Sequence, residues 1–244
     1  MEAVSPCDVT AVITFHREGL LAHRSLLSLG RCVVAANAAG ISVEVIATLD
    51  RSDSETQRVV RQHGGPGKPH RILELDVGDV GLSRNAAVRA ASGPSILICD
   101  GDDYLSASFI VDCKRMLDRV GDLCVLHPQL VVTFEGEHGA WWQTGNDDAH
   151  FDSACMLVCN PWNSCCFTSR ETLMTVPYLM ARPGESGFGF EDWHWNCETL
   201  ASGHPHLVVP ETVHYVRKKL RGSLNNAHAA NRAIIAPSRL FALR

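Results

Sequence analysis

The chain has 244 residues, 45% of them hydrophobic and 20% charged, and a formal net charge of -5. That length supports one large α/β domain with a full core, and so mild a charge argues against an electrostatic nucleic-acid binder. Ten cysteines without a C-x-x-C pair, several inside apolar runs (Cys32, Cys99, Cys124), read as small buried hydrophobes in a reducing compartment, not as a disulfide or zinc framework.

Val9 to Phe15 is a β-rich apolar run, and a helical pattern follows from about Leu20 to Ala38, ending near Gly40. Val43 to Leu49 is a second strand. Ser52-Asp-Ser-Glu55 has the S-x-x-E form of a capping box and predicts a helix to about His63. Arg71 to Leu75 is a third strand, Ser83 to Ala91 a third helix ended by Gly93, and Ser95 to Cys99 a fourth strand. This alternation implies a Rossmann-like, mainly parallel α/β sheet with helices on its faces, whose ligands lie beyond the C-terminal strand ends. The second half is less regular. Leu123 to Leu126 and Leu130 to Phe134 read as strands, Glu135 to Asn146 as a loop carrying Trp141 and Trp142, Phe190 to Ala201 as a helix and Leu207 to Val216 as a last strand.

The fourth strand runs into three carboxylates, Asp100, Asp102 and Asp103. Alternation along an extended chain points Asp100 and Asp102 the same way, where they repel each other unless a cation sits between them. Oxygen-only ligands suit magnesium or manganese, and such an ion bridges to substrate phosphates. Thr14, His16 and Asp50 end the first two strands and can line one pocket; Asp50 can accept a hydrogen bond from a base N–H. Arg84 and Asn85 open the third helix, where a guanidinium and free backbone N–H groups favour phosphate. In Gly187-Phe-Gly-Phe-Glu-Asp-Trp-His-Trp195, flexible glycines deliver Glu191 and Asp192 to a helix start among aromatics. The helix dipole alone favours an acid there; close to the acidic cluster, that acid becomes a general base. No G-x-G-x-x-G follows the first strand, and Gly64-Gly-Pro-Gly-Lys-Pro69 lacks phosphate-loop spacing and reads as a plain turn.

Taken in order, VTAVITFHRE, VEVIATLDRSDSET, GLSRNAAVRAASGPSILICDGDDYL and GFGFEDWHW resemble the family 2 glycosyltransferases of the GT-A fold, over about Val9 to Lys219. The resemblance implies an inverting, metal-dependent transferase moving a sugar from a nucleotide-diphosphate donor, with a UDP-sugar expected, to a carbohydrate, lipid-linked or other hydroxyl acceptor in glycan or glycolipid assembly. At the matching positions it implies that Thr14, His16 and Asp50 contact the base, that Arg84 holds the donor, and that Asp100 serves the ribose. It also implies that Asp102 holds manganese or magnesium, with Asp103 sharing that duty, and that Asp192 is the base with Glu191 beside it; His214, at the end of the last strand, is a candidate for an additional metal ligand. Trp193, Trp195, Trp141 and Trp142 are candidates for stacking on acceptor sugars. Leu49-Asp50 stands where the family often has two adjacent acids, and the Q-x-x-R-W sequence of processive synthases is absent.

A single GT-A domain is expected over 1–244, with a nucleotide-sugar half at 1–103, a smaller mixed acceptor half at 104–216 and a basic segment at 217–244. After Glu211 there is no acidic residue, whereas Arg217, Lys218, Lys219 and Arg221 follow the last strand; they are expected to fold over the donor pyrophosphate or to touch anionic lipid. The N-terminus lacks the pattern of a signal peptide and no segment has the length of a membrane span, so a cytoplasmic protein with peripheral contact at the inner membrane surface is expected. Two alternatives stand beside this reading: a phosphohydrolase of the haloacid-dehalogenase type, which also places D-x-D after an apolar strand, and a non-catalytic sugar-nucleotide-binding subunit.

Overall fold

Every residue of Val9–Phe15 (β1) and Val43–Asp50 (β2) is buried, as a parallel strand covered on both faces requires. The computed structural model describes residues 7–220 and 224–242. The remaining strands are β3 Arg71–Leu75, β4 Ser95–Asp100, β5 Tyr104–Leu105, β6 Val125–Glu135, β7 Gly139–Trp142, β8 Cys166–Ser169 and β9 His206–Lys218. The helices are α1 Leu21–Ala38, α2 Ser54–Gln62, α3 Val80–Ala90, α4 Phe109–Val120, α5 Arg170–Thr175, α6 Pro183–Ser186, α7 Glu191–Ala201 and α8 Leu224–Ala230. The strands form one sheet in the order β3-β2-β1-β4-β8-β6-β9-β5, with β7 added on β6. β3, β2, β1 and β4 run parallel, whereas β8 is antiparallel to both β4 and β6, so the sheet changes from parallel to mixed at β8.

Strand parity decides which side chains reach the site. Ala11, Ile13, Phe15, Leu97 and Cys99 pack with α1, α2 and α4, while Val12, Ile46, Ile96 and Ile98 pack with α3, α5 and Trp195 of α7. Thr14, Asp50 and Asp100 share parity with this second set, so β1, β2 and β4 deliver them toward α3 and α7. Each fully buried Ile or Leu in these rows contributes about 1.5–3 kcal/mol, which fixes the strand ends that carry the acids. All ten cysteines are free, and burial pushes the Cys32 and Cys166 thiols up to about 12.

The local readings need several corrections. Ser52 and Glu55 form no capping box: Asp53 caps α2 by accepting from Thr56 N (2.8 Å), and Ser52 Oγ instead donates to Phe15 O (3.0 Å). α3 begins at Val80, capped by Asp79, so Arg84 and Asn85 sit in its second turn and not at its N-terminus. The two strands read at 123–126 and 130–134 are one strand, β6, with a register shift between Pro128 and Leu130 where proline has no N–H to give. Trp141 and Trp142 belong to strand β7, and the amphipathic α4 was not foreseen. Among the described residues no helix is long and apolar enough to cross a membrane.

Candidate active site

The three carboxylates follow β4 at a turn that glycine alone fits. A Cβ on Gly101 would lie 2.5 Å from Thr14 O and 2.3 Å from the Phe15 ring, while Gly101 O accepts from Ser25 Oγ of α1 at 2.5 Å. β4 ends at Asp100, so the alternation that would align Asp100 with Asp102 stops there, and the two acids take separate partners.

Asp100 faces α3 and α7. Its Oδ1 accepts from Arg84 Nη2 (2.8 Å) and, weakly, from Thr14 Oγ1 (3.4 Å), and its Oδ2 from Ser164 Oγ (2.7 Å). Burial pushes this carboxyl up, yet Arg84, Ser164 and His214 outweigh burial and hold it below the ordinary aspartate value. Arg84 is buried, with Nη1 on Glu191 Oε1 at 2.9 Å and its guanidinium 5.2 Å from the Tyr178 ring centre. Both arms of its fork are thus committed to carboxylates. Arg84 therefore organises the acids, and direct contact with a donor phosphate is not the role its geometry supports.

Glu191 and Asp192 open α7 after a left-handed Phe190 (φ 56°), a costly conformation for an aromatic residue that Phe190 holds while packed edge-on against His228. The two acids diverge. Glu191 is buried in the Arg84 pair, where burial pushes it up to about 7 despite the guanidinium. Asp192 forms no ion pair among the described residues and accepts a long bond from Asn160 Nδ2 (3.3 Å); burial raises its carboxyl, outweighing the Arg84 charge and the backbone N–H of Trp193, which pull it down.

Asp50 is committed to backbone. Its Oδ1 accepts from Val77 N (2.9 Å) and Gly78 N (3.0 Å), its Oδ2 from Asp79 N (2.9 Å) and Ser83 Oγ (3.0 Å). Burial raises this carboxyl and the four donors outweigh it, leaving it low. Asp50 thus builds the loop before α3, and its carboxylate has no idle oxygen for a base edge. His16 is exposed, its Nδ1 2.7 Å from Asp50 O, and stands at the rim of the same strand ends.

Beyond Gly101, β9 supplies the partners. Asp102 Oδ2 lies 2.7 Å from Lys219 Nζ; burial and the neighbouring Asp103 push Asp102 up to about 7 against the pull of Lys219. Asp103 Oδ1 accepts from Arg217 N (2.8 Å), and its Oδ2 lies 3.0 Å from His214 Nε2 without hydrogen-bond alignment. The other imidazole nitrogen, Nδ1, meets the side-chain amide of Asn163. Among the described residues no three of His, Cys, Asp or Glu stand ready to enclose an ion. Asp102 and Asp103 nonetheless fit one side of an open site for a hard cation: their donors are carboxylate oxygens, and a lysine ammonium already rests on Asp102.

The tryptophans separate. Trp195 is core, its Nε1 bonded to Val176 O (2.7 Å) and its ring stacked on Tyr178, which removes it from the acceptor candidates. Trp193 is anchored through Nε1 to Met156 O (3.0 Å) and packs into a buried cluster with Trp162. Val131 stands opposite both Trp141 and His214, so Trp141 shares a sheet face with His214, two strands and about 10 Å away. Trp142, opposite Leu130, points to the other face. A cavity of about 510 Å³ is lined by Arg24, Arg31, Tyr104 and Tyr215 and contains none of the acids above. Asn160, Asn163, Ser164 and Tyr178 complete the site and had no recognisable motif; Lys219 was visible only as part of a basic run. Arg221, the last member of that run, lies outside the described residues.

Comparison with known proteins bears on the fold and the family. No curated protein matches the sequence. S. aureus TarS 1-349 in complex with UDP-GlcNAc superposes at a TM-score of 0.68 with 17% identity, over 89% of this chain and 60% of that one. The mannosyltransferase PcManGT from Pyrobaculum calidifontis, in complex with GDP-Man and Mn2+, superposes at 0.61 with 16% identity, over 96% of this chain and 67% of that one. The chain thus spans about three fifths of the length of the TarS fragment it resembles. Residues 10–175 match the sequence pattern of glycosyl transferase family 2, which is more than half of the chain, and the chain belongs to that family of enzymes.

Proposed function

We propose that this glycosyltransferase inverts the anomeric centre in one displacement, taking its sugar from a nucleotide-diphosphate donor, with UDP-sugars the first to test, and delivering it to a hydroxyl acceptor. The observation that carries the reading is the division of labour between Glu191 and Asp192. Arg84 ties Glu191 to Asp100, so Glu191 positions α7 against β4, while Asp192, beside the same strand ends, forms no ion pair among the described residues. Asp192 accepts the acceptor's hydroxyl proton as that oxygen attacks the anomeric carbon, and the bond from this carbon to the diphosphate oxygen breaks on the opposite face. Burial raises the affinity of Asp192 for the proton, which suits a base.

Asp102 and Asp103 are the residues that would hold manganese or magnesium, and a bound ion would screen the charge that gathers on the departing diphosphate. The complexes of structural relatives with UDP-GlcNAc, and with GDP-Man and Mn2+, support this reading. Thr14 and His16 remain the candidates for the nucleoside end, and Trp141 is the tryptophan whose face suits the acceptor.

The test compares Asp192→Asn with Glu191→Gln in transfer assays and in titrations with UDP. Asp192→Asn is expected to lower turnover by about 10²- to 10⁴-fold with nucleotide affinity near that of the parent. Glu191→Gln is expected to be milder. A folded Asp192→Asn with near-parental turnover would move the base elsewhere; lost nucleotide affinity would place Asp192 in the donor site.

A further inference from the structure

Lys219 lies one residue beyond β9, with its side chain 20% exposed and its ammonium 2.7 Å from Asp102 Oδ2 and 3.4 Å from Glu18 Oε1. Its neighbour Arg217 is fastened differently. The Arg217 backbone N–H is on Asp103, its Nε reaches Asp102 O, and its guanidinium lies 4.6 Å from the Phe134 ring centre, paired with Glu135 and Tyr104. Arg217 therefore fixes the end of the strand, and Lys219 is held only by point-charge contacts at the tip of a flexible stem. That tip can swing away without loss of any strand hydrogen bond.

A hard ion binds a carboxylate oxygen at about 2.0–2.1 Å for magnesium, and an ammonium 2.7 Å from the same oxygen repels it strongly in so buried a place. Lysine and ion compete for Asp102. Building on the metal-dependent reading above, we propose that Lys219 is an exchangeable counter-cation: it neutralises Asp102 in the resting enzyme, yields to the divalent ion, and turns its freed ammonium to the donor diphosphate. Metal alone then binds against an intact ion pair, whereas metal and diphosphate together give every charge a partner. The two ligands therefore reinforce each other, and the coupling is reciprocal.

The test measures manganese binding by the electron paramagnetic resonance of the free ion, with and without UDP, for the parent, Lys219→Met, Lys219→Arg and Asp102→Asn, with thermal unfolding as the check on folding. Lys219→Met is expected to bind manganese alone at least about tenfold more tightly than the parent, since a like charge has gone. It is also expected to lose a comparable part of the strengthening by UDP, while Lys219→Arg keeps the weaker, parental affinity. Unchanged or weaker manganese binding in a folded Lys219→Met overturns the exchange and leaves the metal reading in place. If the parent and Lys219→Met bind no manganese even with UDP and Asp102→Asn behaves identically, the metal reading itself fails and the exchange fails with it.

Discussion

Asp50 and Asp102 stand at the C-terminal ends of the two parallel strands that flank β1, at the tip of β2 and just past β4, and they meet opposite fates. Asp50 receives four hydrogen bonds from the loop before α3 and sits low; Asp102 has a single lysine, another carboxylate beside it, and is pushed up to about 7. Burial is common to both, so the number of donors decides. A carboxylate whose lone pairs are filled by backbone is a structural anchor, and one left with an exchangeable cation is ready for a ligand.

Removal of Arg84 should disturb this balance most. Arg84→Met leaves Asp100 and Glu191 buried without their shared cation, an arrangement expected to cost about 3–5 kcal/mol in denaturant unfolding. A loss under 1 kcal/mol would mean that the two acids find other partners or take up protons at little cost. Asp50→Ala comes next, with an expected loss of about 2–3 kcal/mol as the N–H groups at 77–79, that of Asp79 buried, lose their acceptor. Turnover of the surviving folded fraction then reports whether that loop matters to the donor.

Asp102→Asn comes last, and the size of its effect depends on pH. Asp102 has its folded value raised above the unfolded one, so the folded state holds this proton more tightly and the parent loses stability as pH rises from about 4 toward about 7. Asparagine removes that loss. Relative to the parent, Asp102→Asn should gain about 2–3 kcal/mol between pH 5 and pH 8. A difference that stays flat over this range would show that Lys219 already holds Asp102 charged throughout.

β1, β2 and β4 were legible because they are buried on both faces and therefore written as largely apolar runs, and because each carries a polar residue at or near its end. The ordered motifs from VTAVITFHRE to GFGFEDWHW were enough to indicate the family and the candidate base. Helix starts were less legible: Ser52 and Asp53 both suit an N-cap, and only the nearby Phe15 carbonyl decides which hydroxyl or carboxylate is taken.

What the sequence by itself determined was the order of strands and helices from β1 to β4 and the identity of the acids at the strand ends, because period and residue type are local properties. Only the tertiary structure decided which acid is anchored and which is free. Arg84 meets Glu191 across 107 positions of sequence, and the Lys219–Asp102 pair likewise joins distant segments. The same holds for the tryptophans, where neighbours in sequence part company: Trp141, by its register opposite Val131, keeps the face of His214, while Trp142, opposite Leu130, turns to the other face. Burial and pairing between distant segments are set by packing, and packing assigns each side chain the partners that fix its charge and its role.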